Sequence, residues 1–270
     1  MNVVREFGRS IIVLSIAGLT VLFEMHAANL AQSSFYLTKS TSYSAKSPSS
    51  TATSDSAAGS KSVDQPVVAP DYVLPPITNK LVPVLNRIPT NQRVVFLGID
   101  DGVTRSDDAL NLLTKSHVPV SLFLNDVNVE HDANYFKELQ SSGAIVENHT
   151  SNHEDLTTLN YANQKQEICA NADRFGLLFD RRPTIFRPPY GSYNQITLRA
   201  AADCGMRVLI SWSAKANGGS MQYQNGNTGL KPGDIVLMHF RPEFAHDFKA
   251  YQDAVKAAGL QTASLEDWLK

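Results

Sequence analysis

Neither sign of charge dominates this chain of 270 residues. It carries 24 Lys and Arg against 26 Asp and Glu, a net charge of −2. Nucleic-acid binding leans on a cationic excess, so nucleic acid is excluded as a partner. Long apolar runs are absent too. The longest uncharged, Ile/Leu/Val-rich stretch is Ser10 to Phe23, 14 residues, short of the ~20 that cross a bilayer comfortably. Cysteine is scarce, with only Cys169 and Cys204, so the chain has either one disulfide or two separate buried thiols. No internal repeat is visible. There is also no His-Glu-x-x-His string, which sets aside the zinc-peptidase reading.

What is there divides the chain in three. Arg5 and Arg9 precede the short apolar stretch, and Ala27, Ala28 and Ala31 follow it without a clean small-x-small cleavage pattern. Residues 1–31 therefore read as a signal peptide or a signal anchor, with the domain exported. It is then either secreted or tethered to the outer face of the membrane through residues 10–23. From Ser33 to Ser62, 16 of 30 residues are Ser or Thr, too little apolar surface to offset the entropy of ordering. With Pro66, Pro70, Pro75 and Pro76 after it, 32–82 reads as a disordered linker ending in an extended lead-in. Residues 83–270 are the expected catalytic domain.

Beyond Arg93, short β-rich runs alternate with helical stretches. Strands are expected at Val94–Ile99, Val118–Leu124, Ala144–Glu147, Thr184–Phe186, Val208–Trp212 and Ile235–His239. Helices are expected at Ser106–Lys115, Ala133–Ser141, Ala162–Leu178, Gln195–Cys204 and Phe248–Ala258. This alternation predicts an α/β fold with parallel pairing, either an open doubly wound sheet or a barrel. In both, active sites gather at the C-terminal strand ends.

Chemistry-bearing residues do cluster there. Asp100-Asp101-Gly102 closes the first strand, and Asn148-His149-Thr150-Ser151-Asn152-His153 follows the third. Arg187-Pro188-Pro189-Tyr190-Gly191 follows the fourth, and His239 ends the sixth. His149 and His153 are four apart, and a helical turn places two such rings on one face. Two imidazoles and one carboxylate make a common zinc set with a position left for water. Of the paired aspartates, one can ligate while its neighbour acts as base, with His239 as the acid for the leaving group. The bland readings are a pair of surface or capping histidines and a helix-capping Asp pair.

Together these strings resemble the NodB-type polysaccharide deacetylases, carbohydrate esterase family four. The motifs that carry the resemblance are Ile99-Asp100-Asp101-Gly102, His149-Thr150-x-x-His153, Phe186-Arg187-Pro188-Pro189-Tyr190-Gly191 and Leu237-Met238-His239, in that order. The resemblance implies a distorted (β/α) barrel and a divalent metal, zinc first among them. It implies Asp100 as base, with Asp101, His149 and His153 as metal ligands and Arg187 orienting Asp100. It further implies the Tyr190 backbone amide at the oxyanion, Trp212 and Leu237 around the acetyl group, and His239 as acid. Two positions depart: where the family has an Asp before the tryptophan, supporting the acid histidine, this chain has Ser211 before Trp212, and where the family's histidine is often followed by Asp, Phe240 and Arg241 follow His239.

The function expected is removal of N-acetyl groups from a GlcNAc-containing polymer, peptidoglycan or chitin-like. The alternatives are a xylan-type O-acetyl esterase and a carbohydrate-binding surface protein that has lost activity. The partner is a carbohydrate polymer, and no protein partner is expected. Two further expectations concern side chains. Glu243, Asp247 or Glu266 is expected to replace the missing carboxylate near His239. Cys169 and Cys204 are expected to pair, with Cα atoms within about 7 Å.

Overall fold

The structure is a computed structural model that describes residues 68–224 and 226–270. The signal segment and the Ser/Thr-rich tract lie outside these residues. Among the described residues no helix is long and apolar enough to cross a membrane.

Ten strands form one sheet: β1 Val84–Leu85, β2 Val94–Asp101, β3 Ser121–Leu124, β4 Ile145–Asn148, β5 Ile185–Phe186, β6 Val208–Ile210, β7 Ala214–Asn217, β8 Ser220–Tyr223, β9 Ile235–His239 and β10 Gln261–Thr262. The helices are α1 Asp107–Ser116, α2 Asp126–Val129, α3 Ala133–Ser141, α4 Tyr161–Leu178, α5 Gln195–Asp203, α6 Phe244–Ala258 and α7 Leu265–Trp268. The strand order is β1-β6-β5-β4-β3-β2-β9-β7-β8, with β10 beside the start of β2. Every pairing is parallel except β7 with β8. The sheet curls without closing, since β1 and β8 are its free ends, so the expected barrel is a half-barrel.

Alternation along the strands sorts the core into layers. Val95, Leu97 and Ile99 of β2 pack outward with Leu113, Phe136, Phe248 and Tyr251 of the helices. Val94 and Phe96 pack inward with Phe123, Ile185, Val208 and Ile235, and Leu265 and Trp268 of α7 close the lower end. A third cluster joins Ile168 and Ala172 of α4 to Ala200 and Cys204 of α5. The Cys169–Cys204 disulfide staples these two helices with a Cα separation of 4.9 Å, as expected. Its 35-residue span is worth ~4 kcal/mol in the loop-entropy account.

The expected elements recur with shifted ends. The strand expected from Val118 starts only at Ser121, because Pro119 has no N–H to give to a ladder. The strand expected to reach Trp212 stops at Ile210. The β7–β8 hairpin was not anticipated, although Asn217-Gly218-Gly219-Ser220 is a hairpin turn signal. Both glycines take positive φ, 61° and 72°. The linker expectation also needs correction at its end. Val68, Tyr72 and Leu74 pack on the inner cluster and Val82 is buried, so the domain's contacts begin before Pro83. Composition missed them because four apolar side chains are diluted among prolines and polar residues.

Candidate active site

The upper rim of the curled sheet gathers the residues singled out above. Asp100 and His239 are register partners on neighbouring β2 and β9. Asp100 points inward from β2, on the same face as Phe96 and Gly98. The backbone then turns through positive φ at Asp101 (75°) and Gly102 (81°), which swings the next carboxylate back across the rim. The turn is held by Asn128 Nδ2, which donates to the Asp101 carbonyl at 3.0 Å, and by Arg105 Nη1, which donates to the Gly102 carbonyl at 3.0 Å.

His149 and His153 meet, but not through a helical turn. The chain leaves β4 into a loop in which Thr150 (70°) and His153 (60°) take positive φ. The Thr150 N–H donates to Asn148 Oδ1 at 2.9 Å, and the His153 N–H donates to Thr150 Oγ1 at 3.1 Å. These side-chain contacts offer the backbone an alternative to helix, which is why spacing alone misassigned the segment. Asn148 itself is buried and donates to the Ile168 carbonyl, so the Asn148-His149-Thr150 sequon is closed to glycosylation. Positive φ in non-glycine residues costs about 1 kcal/mol or more and concentrates at functional sites. Of the eight such residues among those described, four, Asp101, Thr150, His153 and Tyr190, are here.

The ring nitrogens are set by their outer partners. His149 Nδ1 lies 2.7 Å from the Arg187 carbonyl, which can only accept, so the proton sits there and Nε2 faces inward. His153 Nδ1 lies 3.2 Å from the Tyr190 hydroxyl. Both Nε2 atoms converge on Asp101 Oδ1, at 3.4 Å from His149 and 3.2 Å from His153. Asp101, His149 and His153 thus offer three ligand atoms within 4.8 Å of one another. Burial alone raises the Asp101 carboxyl, but the adjacent His149 and His153 rings outweigh it and hold the group well below the usual carboxylate range. Burial pulls the His149 ring down, and the Asp100 and Asp101 carboxylates together push it above its ordinary value. Asp101 Oδ1 is buried with no hydrogen-bond donor assigned to it. An orphaned carboxylate oxygen facing two lone-pair nitrogens fits a divalent cation.

Asp100 belongs to a different contact. Its Oδ1 accepts from Arg187 Nη1 at 2.6 Å, and both side chains are buried. The Arg187 guanidinium sits over the Phe123 ring at 4.0 Å and passes beneath Gly98. A Cβ on Gly98 would lie 2.5 Å from Nη1, so only glycine admits this ion pair. Gly98 was overlooked in the sequence, although a lone glycine inside an apolar strand is a sign of close approach.

Leu237 and Trp212 line the same cavity of 310 Å³ with Tyr190 and Pro188. Trp212 is pinned by Gln224, whose amide, oriented to satisfy both partners, accepts from Trp212 Nε1 at 3.0 Å and donates to its carbonyl at 3.1 Å. Gly191 (φ 70°) lets the indole approach, since a Cβ there would meet it at 3.0 Å. Lys215, Asn217 and Arg241 line the cavity as well, and of these only Arg241, in the departure after His239, is marked by the sequence.

The expected replacement carboxylate is not beside His239. Asp247 is buried and accepts from the Gly219 N–H at 2.7 Å. Glu266 caps the lower end near Ser264, and Glu243 is exposed at the start of α6. Among the described residues no carboxylate lies within 4.0 Å of the His239 ring. The Ser211 amide donates to the Leu85 carbonyl, which fixes the chain without supplying charge. Burial lowers the His239 ring below its ordinary value, and the more distant Asp100 and Asp101 only partly offset this.

A buried carboxylate steadied by arginine, a second carboxylate between two imidazoles and a separate histidine are the groups a hydrolytic site needs, and this half-barrel assembles them at one strand-end rim. The polysaccharide deacetylase family model matches residues 87–209. An uncharacterised Streptomyces coelicolor protein is 35% identical over 195 residues, 70% of this chain and 78% of that one. A peptidoglycan-N-acetylglucosamine deacetylase of Bacillus cereus is 29% identical, over 56% of this chain and 75% of its own. The solved structure of the chitin deacetylase of Colletotrichum lindemuthianum aligns with a TM-score of 0.60 at 21% identity, covering 72% of this chain and 92% of that one, which speaks for the fold. The chain belongs to the NodB-type polysaccharide deacetylase family.

Proposed function

We propose that the protein is a metal-dependent deacetylase that removes N-acetyl groups from a GlcNAc-containing polysaccharide, peptidoglycan or chitin-like, at an exported location. The observation that carries this is the orphaned Asp101 Oδ1 between His149 and His153, next to the separately paired Asp100. Asp101, His149 and His153 would hold a divalent cation, zinc by its taste for two imidazoles and a carboxylate. When bound, such an ion acidifies a water and polarises the acetyl carbonyl.

The chain's own residues account for the rest. Asp100 takes the proton of the attacking water, and Arg187 holds it in one rotamer while leaving Oδ2 free to act. The Tyr190 amide, turned by its positive φ, is the candidate donor to the oxyanion. Leu237 and Trp212 form the apolar walls that receive the acetyl methyl and exclude water. His239 delivers a proton to the departing nitrogen. A second reading, O-acetyl ester hydrolysis, is favoured by the missing carboxylate beside His239, because an alkoxide leaves with less protonation than an amine. The non-catalytic carbohydrate-binding alternative draws on the same observation.

The test measures acetate release from chitooligosaccharides, peptidoglycan and acetylated xylan, with and without added Zn²⁺. In the same series, His149→Ala or His153→Ala strips the metal, whereas Asp100→Asn keeps it and loses turnover. Equal metal loss in all three variants would remove the division of labour between the two aspartates. No acetate from any substrate by the zinc-loaded protein would leave the binding role.

A further inference from the structure

The β7–β8 hairpin forms one side of the active-site cavity and has no role in the chemistry above. Ala214 and Ala216 turn into the helix-facing core, so Lys215 and Asn217 face the other way. Lys215 is the register partner of Leu237, and in parallel strands such partners share a face, so its side chain enters the cavity beside the acetyl-site leucine. Arg241, two residues past His239, closes the same side, and its Nη1 donates to Asn217 Oδ1 at 3.1 Å. The hairpin is built in: buried Asp247 of α6 accepts from the Gly219 amide, and Gln224 clasps Trp212.

Two cations therefore look into a cavity of 310 Å³, and neither pairs with a carboxylate within 4.0 Å among the described residues. The carboxylates of the cavity are committed, Asp100 to Arg187 and Asp101 to the two histidines. A neutral sugar would leave both cations without a counter-charge next to the reacting centre. An anion bound there would satisfy both at once, through charge-assisted contacts of the kind lysine and arginine make with carboxylates.

We propose that Lys215 and Arg241 form a subsite for a carboxylate carried by the acetylated saccharide, so the preferred substrate is an acidic N-acetylated polymer. This rests on the deacetylase reading for its chemistry but not for its binding. The carboxylate would sit on the acetylated residue or its immediate neighbour, because the cavity is at the small end for a ligand site.

The test uses the zinc-loaded protein with chitotetraose and with chitotetraose oxidised to carboxylates at C6. Binding is measured by calorimetry on the Asp100→Asn variant and turnover on the parent. The carboxylated oligomer should bind about ten-fold or more tighter, with the advantage shrinking as salt rises. Lys215→Gln and Arg241→Gln should each collapse that ratio toward one, mainly through KM, while Arg241→Lys keeps most of it. Selective binding without turnover of either oligomer would sink the deacetylase reading and leave this subsite standing. Equal binding of the two oligomers, or variants that weaken both alike, would overturn the subsite. So would competition by free acetate that vanishes in Lys215→Gln while the oligomers bind equally, since the cations would then hold only the product.

Discussion

Replacing Gly98 by Ala tests the central ion pair without touching a charged group. The added Cβ would stand 2.5 Å from Arg187 Nη1, 2.8 Å from Nη2 and 3.0 Å from Cζ. Ordinary contact for such atoms is about 3.5 Å, so the guanidinium must retreat by roughly 1 Å. It has nowhere easy to go, because Arg187 is fully buried and its opposite face lies on the Phe123 ring at 4.0 Å. The motion would stretch the 2.6 Å contact to Asp100 beyond hydrogen-bond range. Overpacking of this kind costs about 1–3 kcal/mol, and uncoupling a buried ion pair adds to it. At roughly 2–4 °C per kcal/mol for a domain of this size, the overpacking alone should lower melting by about 2–12 °C. Metal affinity should survive, since none of Asp101, His149 and His153 is touched. Acetate release should drop by about 10- to 100-fold in kcat, because a base displaced by 1 Å is no longer aligned. Differential scanning fluorimetry, zinc titration and the acetate assay read the three quantities separately. Unchanged melting and turnover in Gly98→Ala would refute the claim that glycine is required there, and with it the role given to the Arg187–Asp100 pair.

Ser211→Asp should restore a carboxylate near His239 and raise N-deacetylation more than O-deacetylation. It should also move the high-pH limb of the N-acetyl rate upward, because burial now lowers the His239 ring below its ordinary 6.5 and the protonated acid is lost as pH rises through that lowered value. An identical limb in parent and variant would count against His239 as the acid. Burial raises the Glu266 carboxyl and pushes the neighbouring Glu147 carboxyl up to about 7, so this buried pair keeps a proton in the folded state. A carboxyl raised in the folded state is stabilising below its unfolded value, and that stability is lost as pH climbs through the folded value. Urea unfolding should therefore weaken above pH ~4.5, by at most about 1.4 kcal/mol per pH unit, and Glu266→Gln should flatten the slope. A variant with the parent's slope would contradict this assignment. A chain starting at Val68 should unfold cooperatively, whereas one starting at Pro75 should lose stability by removing Tyr72 and Leu74 from the inner cluster. Equal midpoints for the two would mean that the lead-in contributes nothing.

Much of the fold and site was legible because the signals were local or because they recurred at strand ends. Six strands and five helices follow from periodicity and breakers; Ala133–Ser141 and Ile235–His239 match residue for residue. Asp100, Asp101, His149, His153, Arg187 and His239 stood out because polar residues ended apolar strands. The pairing of Cys169 with Cys204 needed only an even count and two helices flanking one motif. What failed did so for identifiable reasons. His-x-x-x-His spacing suggested a helical turn, but Asn148 and Thr150 side chains satisfy the local amides and leave positive φ at Thr150 and His153. The Asn-Gly-Gly-Ser turn of the hairpin was passed over because neither flanking strand carries a strong apolar pattern.

By itself the sequence determined the α/β class, the strand-end location of the chemistry and the identity of the metal-ligand candidates, since each depends on residue types at short spacing. The split between an Arg187-paired Asp100 and a histidine-facing Asp101 was implied by the family resemblance, and only the tertiary structure gave its physical basis. Adjacent residues in a chain are separated by a single positive-φ turn at Asp101, and nothing in composition reveals it. Tertiary structure also decided that among the described residues no carboxylate lies within 4.0 Å of His239, and it placed Lys215 on the cavity face, because register between β7 and β9 is a contact between residues 22 apart in sequence. Long-range register follows from how whole layers pack, and no single segment encodes it.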